Sequence, residues 1–460
     1  MTLGVLMVFF GLRVEQDGSG RALWTFSAPE KLYSQLEAHR AKQKKLEGAQ
    51  RPAPVEPKMW TMSSPAEPAP RPGPLDWAEF RGAGRDGKYD GAIRTSWPRE
   101  GLPLLWKQPV GGGHAGFAVA QGRAFTIEQR RNKEVAAAYD LMTGRELWTH
   151  AWPAHFQESA GGEGPRATPA WDEGRVYMLG AEGDLRVLDG ATGQLLWKRN
   201  ILKDAGTENL MFGMAASPLI VDDTVVTLPG GRGGKSVMAY DKRTGQPAWS
   251  ALDDMQSYTA PMVATLAGKR QLIIVSAERI AGLDAGPQQT GRVLWEHPWT
   301  ADNNVNSPQP IVVDGEHVFL SGGSDRGSKL LRIRAANGGY AAGVVWESNT
   351  MKNSFNSSVL LGGHIYGFDG SIFACISART GDKKWKGGRY GFGQVLLAGE
   401  HLVVVTERGE VALVRATPEK FEELALFPAI EGRTWNYPSL ANGVLLVRNA
   451  REMAAYRISD

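Results

Sequence analysis

Cysteine is almost absent from this chain of 460 residues, with Cys375 the single one. No intramolecular disulfide and no cysteine-based metal site can therefore be assembled. The apolar surroundings of Cys375 in "SIFACIS" mark it as a buried thiol. Histidine is also scarce, and the 8 residues show neither an HExxH pattern nor paired metal spacing, so His114 and His364 read as packed or turn histidines. An excess of either charge is missing. Residues 1–75 hold 10 Lys/Arg against 7 Asp/Glu, which leaves 42 of each in the remainder (52 − 10 and 49 − 7). A neutral body without a basic stripe excludes the counterion-releasing surface of a nucleic-acid binder.

Long hydrophobic runs are lacking too. The longest lies at the amino terminus, "MTLGVLMVFFGL", and its 12 residues fall short of the ~20 needed to span a bilayer. It has neither the positive n-region nor the small-residue cleavage site of a secretory signal. Residues 1–12 are read as a truncated signal or membrane anchor, the alternative being an ordinary buried or frayed segment. Catalytic signatures are missing as well. "GGRGG" (Gly230 to Gly234) lacks the Lys-Ser/Thr of a phosphate loop and reads as a hairpin turn, and no nucleophile elbow appears.

Glycine, by contrast, is abundant at 56 residues, beside 42% hydrophobic residues. That balance suits an all-β protein with many tight turns. Residues 13–75 form a lead: Ser27 followed by Glu30 makes a capping box before "KLYSQLEAHRAKQKKLEGA", which predicts a short polar helix. Eight prolines between Arg51 and Pro74 then predict a semi-rigid spacer.

From Asp76 to Asp460 the chain reads as short strands divided by Gly, Asn and Asp turns, and one phrase recurs. "AAYDLMTGRELW" ends at Trp148, "RVLDGATGQLLW" at Trp197 and "MAYDKRTGQPAW" at Trp249; looser copies end at Trp295, Trp346 and Trp385, and a seventh ends at Phe421. The Asp can bond turn amides, Thr-Gly supplies a turn with positive φ, and the Trp falls on the returning strand, so the phrase is a hairpin. An indole buries some 150–250 Å², more than one small sheet can cover, so each must lie against the next unit. Repeats of about 36 to 52 residues, each with four strand-like runs, match the period of a β-propeller blade.

The chain ends set the blade count. "LPLLWKQPV" (Leu102 to Val110) is an outer-strand phrase without its three predecessors, while Trp435 to Ile458 supplies three strands and stops. Pairing them closes the ring and removes its exposed edges, which gives an eight-bladed propeller, with seven blades as the alternative.

The hairpin phrase resembles the tryptophan-docking motif of pyrroloquinoline quinone (PQQ)-type eight-bladed propellers. Two families share it: the quinoprotein alcohol and sugar dehydrogenases, and the propeller lipoprotein of the bacterial outer-membrane β-barrel assembly machinery. "DWAEFRGAGRDGKYD" (Asp76 to Asp90) also looks like the lead-in of bacterial PQQ-repeat proteins. The resemblance implies that Trp148, Trp197, Trp249, Trp295, Trp346 and Trp385 dock neighbouring blades.

In such a ring, the loops before each first strand open on the central face and carry the ligand candidates. They hold Arg166, Asn209, Phe212, Tyr258, Asn306, Asn353, Asn356, Arg389, Tyr390, Trp435 and Asn436. Arg and amide groups beside aromatic rings suit a flat anionic ligand such as PQQ, although the same types also satisfy turn backbones. The dehydrogenase resemblance implies Ca²⁺, a catalytic Asp and, in many members, a pair of adjacent cysteines. Asp302 is the candidate base, with Asn304 and Asn306 nearby and Glu163 and Glu208 in other loops, but they form no recognisable ligand set and the cysteine pair is absent. The expected function is thus a non-enzymatic scaffold for other envelope proteins, periplasmic and held at a membrane by its amino terminus, without cofactor or metal. No lipobox cysteine stands near that terminus. The alternative is a PQQ- and calcium-dependent alcohol or sugar dehydrogenase, with Arg166 and Arg389 on the cofactor carboxylates.

Overall fold

The computed structural model describes residues 12–26, 29–50, 71–287, 290–300, 305–323, 326–336 and 338–460. Most of the apolar segment, Ser27, most of the proline-rich spacer and Asp302 lie outside these residues.

Eight antiparallel blades of four strands follow one another around a ring, seven of them with their strands in sequence order from the axis outward and the eighth completed by an early strand. Blade 1 is formed by Ala118–Ala120, Arg123–Arg130, Lys133–Asp140 and Glu146–Pro153, and blade 2 by Ala170–Asp172, Arg175–Leu179, Asp184–Asp189 and Leu195–Asn200. Blades 3 to 6 begin at Leu219–Val221, Met262–Leu266, Ile311–Val312 and Val359–Leu361, and blade 7 at Gln394–Ala398. Blade 8 joins Ser439–Ala441, Val444–Arg448 and Glu452–Arg457 to Leu104–Pro109. Its closing register pairs Ala455 with Trp106 and Met453 with Gln108, so the late strands meet the early one as the sequence requires.

The turn of the repeated phrase has one geometry in the three blades where the phrase is intact. Asp140, Asp189 and Asp241 each accept from the amide and hydroxyl of the Thr three residues on. The glycine that follows has φ between +69° and +74° in these three turns. The indole N–H of Trp148 donates across the gap to Gly190 O of blade 2 at 3.1 Å, and Trp197 donates to Lys242 O of blade 3 at the same distance. Trp106 does so to Leu141 O at 2.9 Å across the closure. A Cβ built on Gly193 would stand 2.6 Å from Cδ2 of Trp148, so the phrase's glycine is a seat for the preceding blade's ring.

Other units depart from the phrase. Blade 5 has a third–fourth strand hairpin of two ten-residue strands in place of the Thr-Gly turn, and Trp295 of blade 4 donates within its own blade to Gln271 Oε1 at 2.6 Å. In blade 7 the outer strand is Glu423–Pro428, and Ala425 pairs with Leu413 where other blades place Trp. Phe421 sits before that strand, 5.6 Å from the Trp385 ring. The aromatic work between blades 7 and 8 passes to Phe427, which meets Trp97 and Tyr456 edge-on at 5.8 and 5.2 Å.

Residues 76–90 occupy the axis. Trp77 exchanges backbone hydrogen bonds with Val119 of blade 1, and Ala78 O accepts from Trp171 N of blade 2. The fully buried Arg85 guanidinium reaches Ser217 O and Pro218 O before blade 3 and Pro261 O before blade 4, and pairs with Glu79 at 2.6 Å. Arg81 donates to Ser358 O before blade 6, Lys88–Tyr89 runs parallel to the first strand of blade 7, and Tyr89 OH accepts from Gly443 N of blade 8. One segment thus ties seven blades at the centre.

Two elements precede it. A hairpin pairs Leu12–Gln16 with Ala22–Phe26. Helix α1 (Pro29–Gln50) buries Tyr33, Leu36 and Arg40, whose spacing puts them on one helical face. It lies on the ring's outside at the closure, with Arg40 bonded to Gln108 Oε1 at 3.0 Å and Tyr139 OH at 3.2 Å.

Candidate functional site

The loops that enter the first strands converge on one face and enclose a cavity of about 440 Å³ on the axis. Phe80 of the axial segment lines it from within, meeting Tyr437 edge-on at 4.9 Å. Phe212, Tyr258, Phe355 and Trp435 supply the rest of an aromatic wall. Trp435 is held in place by three neighbours: its Nε1–H donates to Glu407 Oε1 at 2.8 Å, Arg433 lies 4.1 Å over the ring, and Phe355 lies 4.7 Å away.

The polar lining is largely committed. Arg166 pairs with Glu158 at 3.0 Å, donates to Gly162 O at 2.8 Å and to Gly164 O, and stacks 4.6 Å over Phe156. His114 meets Gly161 O at 2.7 Å. Burial, with the Arg166 charge beside it, pushes that imidazole down to about 3, so it is neutral at physiological pH.

Of the sequence candidates, Arg166, Phe212, Tyr258 and Trp435 line the cavity. The asparagines do other work. Asn306 donates to Ser276 O and Trp299 O at 2.7 and 3.1 Å and accepts from Arg326. Asn353 donates to Phe368 O, and Asn356 to Gly393 O of the next blade. Asn209 donates to Ala181 O and caps its own turn, and Asn436 bridges to Gly113 O and Ala115 O. Arg389 is exposed and outside the cavity wall, while Tyr390 is buried and bonded to Glu423. Among the described residues no three His, Cys, Asp or Glu side chains converge as metal ligands.

Sequence reasoning missed the amino-terminal turn at this cavity. Asp17 to Gly20 closes the hairpin and forms part of the wall, with Gly18 N–H donating to Glu407 Oε1 at 2.8 Å and Arg433 donating to Gln16 O. The signal was present in the alternating "LRVEQ" followed by "DGSG".

A closed ring of eight antiparallel four-stranded blades with indoles between them defines this as a PQQ-type β-propeller. A family model described as outer membrane protein assembly factor BamB matches residues 102–230 and 131–387, and the chain belongs to that family. No curated protein matches it by sequence. Among solved structures, BamB from Moraxella catarrhalis is 16% identical, with 78% of this chain and 100% of that chain covered and a TM-score of 0.54. The computationally designed Ika8 protein is 10% identical with the same coverage and TM-score. A europium-containing methanol dehydrogenase is 13% identical over 82% of this chain and 90% of that one, with a TM-score of 0.48. At these identities the likeness is one of fold.

Proposed function

We propose that the protein is a non-enzymatic propeller of the bacterial cell envelope, periplasmic, that holds other envelope proteins on its faces, as an outer-membrane assembly factor does. The observation that carries this reading is the commitment of the axial polar groups. All five loop asparagines donate to backbone carbonyls of other elements, and Arg166 is neutralised by Glu158. The groups present do not fit PQQ with calcium. A tricarboxylate needs cations not already paired, and calcium needs six to eight hard oxygens, whereas among the described residues the wall offers two carboxylates, Glu158 bound to Arg166 and to turn amides, and Asp17 bound to its own turn. Family membership supports the same reading. No helix among the described residues is long and apolar enough to cross a membrane.

The test is reconstitution with purified components of the β-barrel assembly machinery from the same bacterium. Stable co-elution with one of them is expected; elution of every component apart from the propeller overturns the proposal.

A further inference from the structure

We propose that the rim of the axial cavity is a recognition site for a glycine-containing β-turn of another polypeptide, and that the chain's own Asp17–Gly20 turn, which forms part of the cavity wall, is a displaceable stand-in. The turn is preformed: Asp17 Oδ1 accepts from Ser19 N, Ser19 Oγ and Arg21 N at 3.0, 2.6 and 2.9 Å, so little conformational entropy is lost when it seats. What the ring contributes is a set of contacts to backbone. Glu407 accepts the Gly18 amide and Arg433 donates to the Gln16 carbonyl, and neither contact depends on the side chain bound.

Selectivity comes from Phe392. Gly18 has no left-handed φ, so any residue could adopt its backbone, yet a Cβ there would overlap the Phe392 ring. Phe355 backs that ring at 5.9 Å, nearly parallel to it. Glu407 is itself fixed by Trp435 Nε1 and by Phe392 N at 3.2 Å. The site therefore reads an amide, a carbonyl and a missing side chain, which is the chemistry of a Gly-bearing hairpin turn. Beneath the seated turn, the cavity of about 440 Å³ accepts an apolar side chain of the incoming strand. A tethered turn competes at an effective concentration in the millimolar range, so the intact chain masks the site from weak binders. The inference rests on the binding-platform reading only for the partner's identity, and its test reads peptide binding without any assembly component.

The probe is a fluorescent peptide of residues 12–26, cyclised through added terminal cysteines, titrated against the full-length chain by anisotropy. Gly18→Ala leaves every residue of the ring unchanged and is expected to evict the tethered turn by its clash with Phe392. The peptide is expected to bind this variant at least tenfold tighter than wild type, and its own Gly-to-Ala analogue at least tenfold more weakly than the peptide itself. Adding Glu407→Ala to the variant is expected to cost a further tenfold or more. Equal binding to wild type and Gly18→Ala, no binding to either, or equal binding of the glycine and alanine peptides overturns the proposal.

Discussion

Gly193 meets two requirements at once: its φ of +74° disfavours a side chain, and the Trp148 indole lies where a Cβ would go. Gly122 has nearly the same φ, +69°, but no heavy atom lies within 4 Å of its virtual Cβ. Gly193→Ala is expected to cost about 2–5 kcal/mol, the left-handed penalty plus overpacking of the ring. Gly122→Ala should cost only the backbone part, about 1–2 kcal/mol. Denaturant unfolding of the two variants checks this, and equal losses would show that the inter-blade indole contributes nothing at that seat. The Asp-Thr-Gly-Trp phrase was legible in sequence because each residue's role is local and the phrase recurs. The loop residues were less so. An asparagine that donates to a neighbouring backbone, as Asn356 does to Gly393 O, has the same sequence signature as one that binds a ligand. Phe421 was aligned with the tryptophans, but the outer strand begins after it and Ala425 takes their register.

At the scale of elements, ring closure could be read from the two incomplete chain ends, and the register of Glu452–Arg457 with Leu104–Pro109 follows that reading. The axial segment could not be read in the same way. Arg81 and Arg85 stand in a Gly-rich stretch with no periodicity, and their partners lie 132 to 277 residues away. No local pattern announces such partners. Arg85→Met keeps the apolar stem but strands Glu79 and the carbonyls before blades 3 and 4, and losing one member of a buried pair typically costs 3–5 kcal/mol. The variant is expected to melt at lower temperature, with faster amide exchange in the first strands of those two blades; an unchanged melting temperature would mean that the axial segment is a passenger. The amino-terminal hairpin was legible in principle from alternation and a Gly-rich turn, but its seat at the axis is again a long-range fact, separated by 389 residues from Glu407.

At the scale of the molecule, seven blades are tied at the centre by one segment and neighbouring blades are joined farther out by aromatic rings. Such a body offers a stiff face with an axial cavity in which Arg166 and Glu158 are paired. We propose that this cavity serves polypeptide recognition and holds no redox cofactor. Titration of the purified chain with PQQ and Ca²⁺, followed by reduction of an artificial electron-acceptor dye with alcohols and sugars, tests it most directly. No saturable quinone binding and no dye reduction above background are expected; stoichiometric binding with substrate-dependent turnover would overturn the proposal.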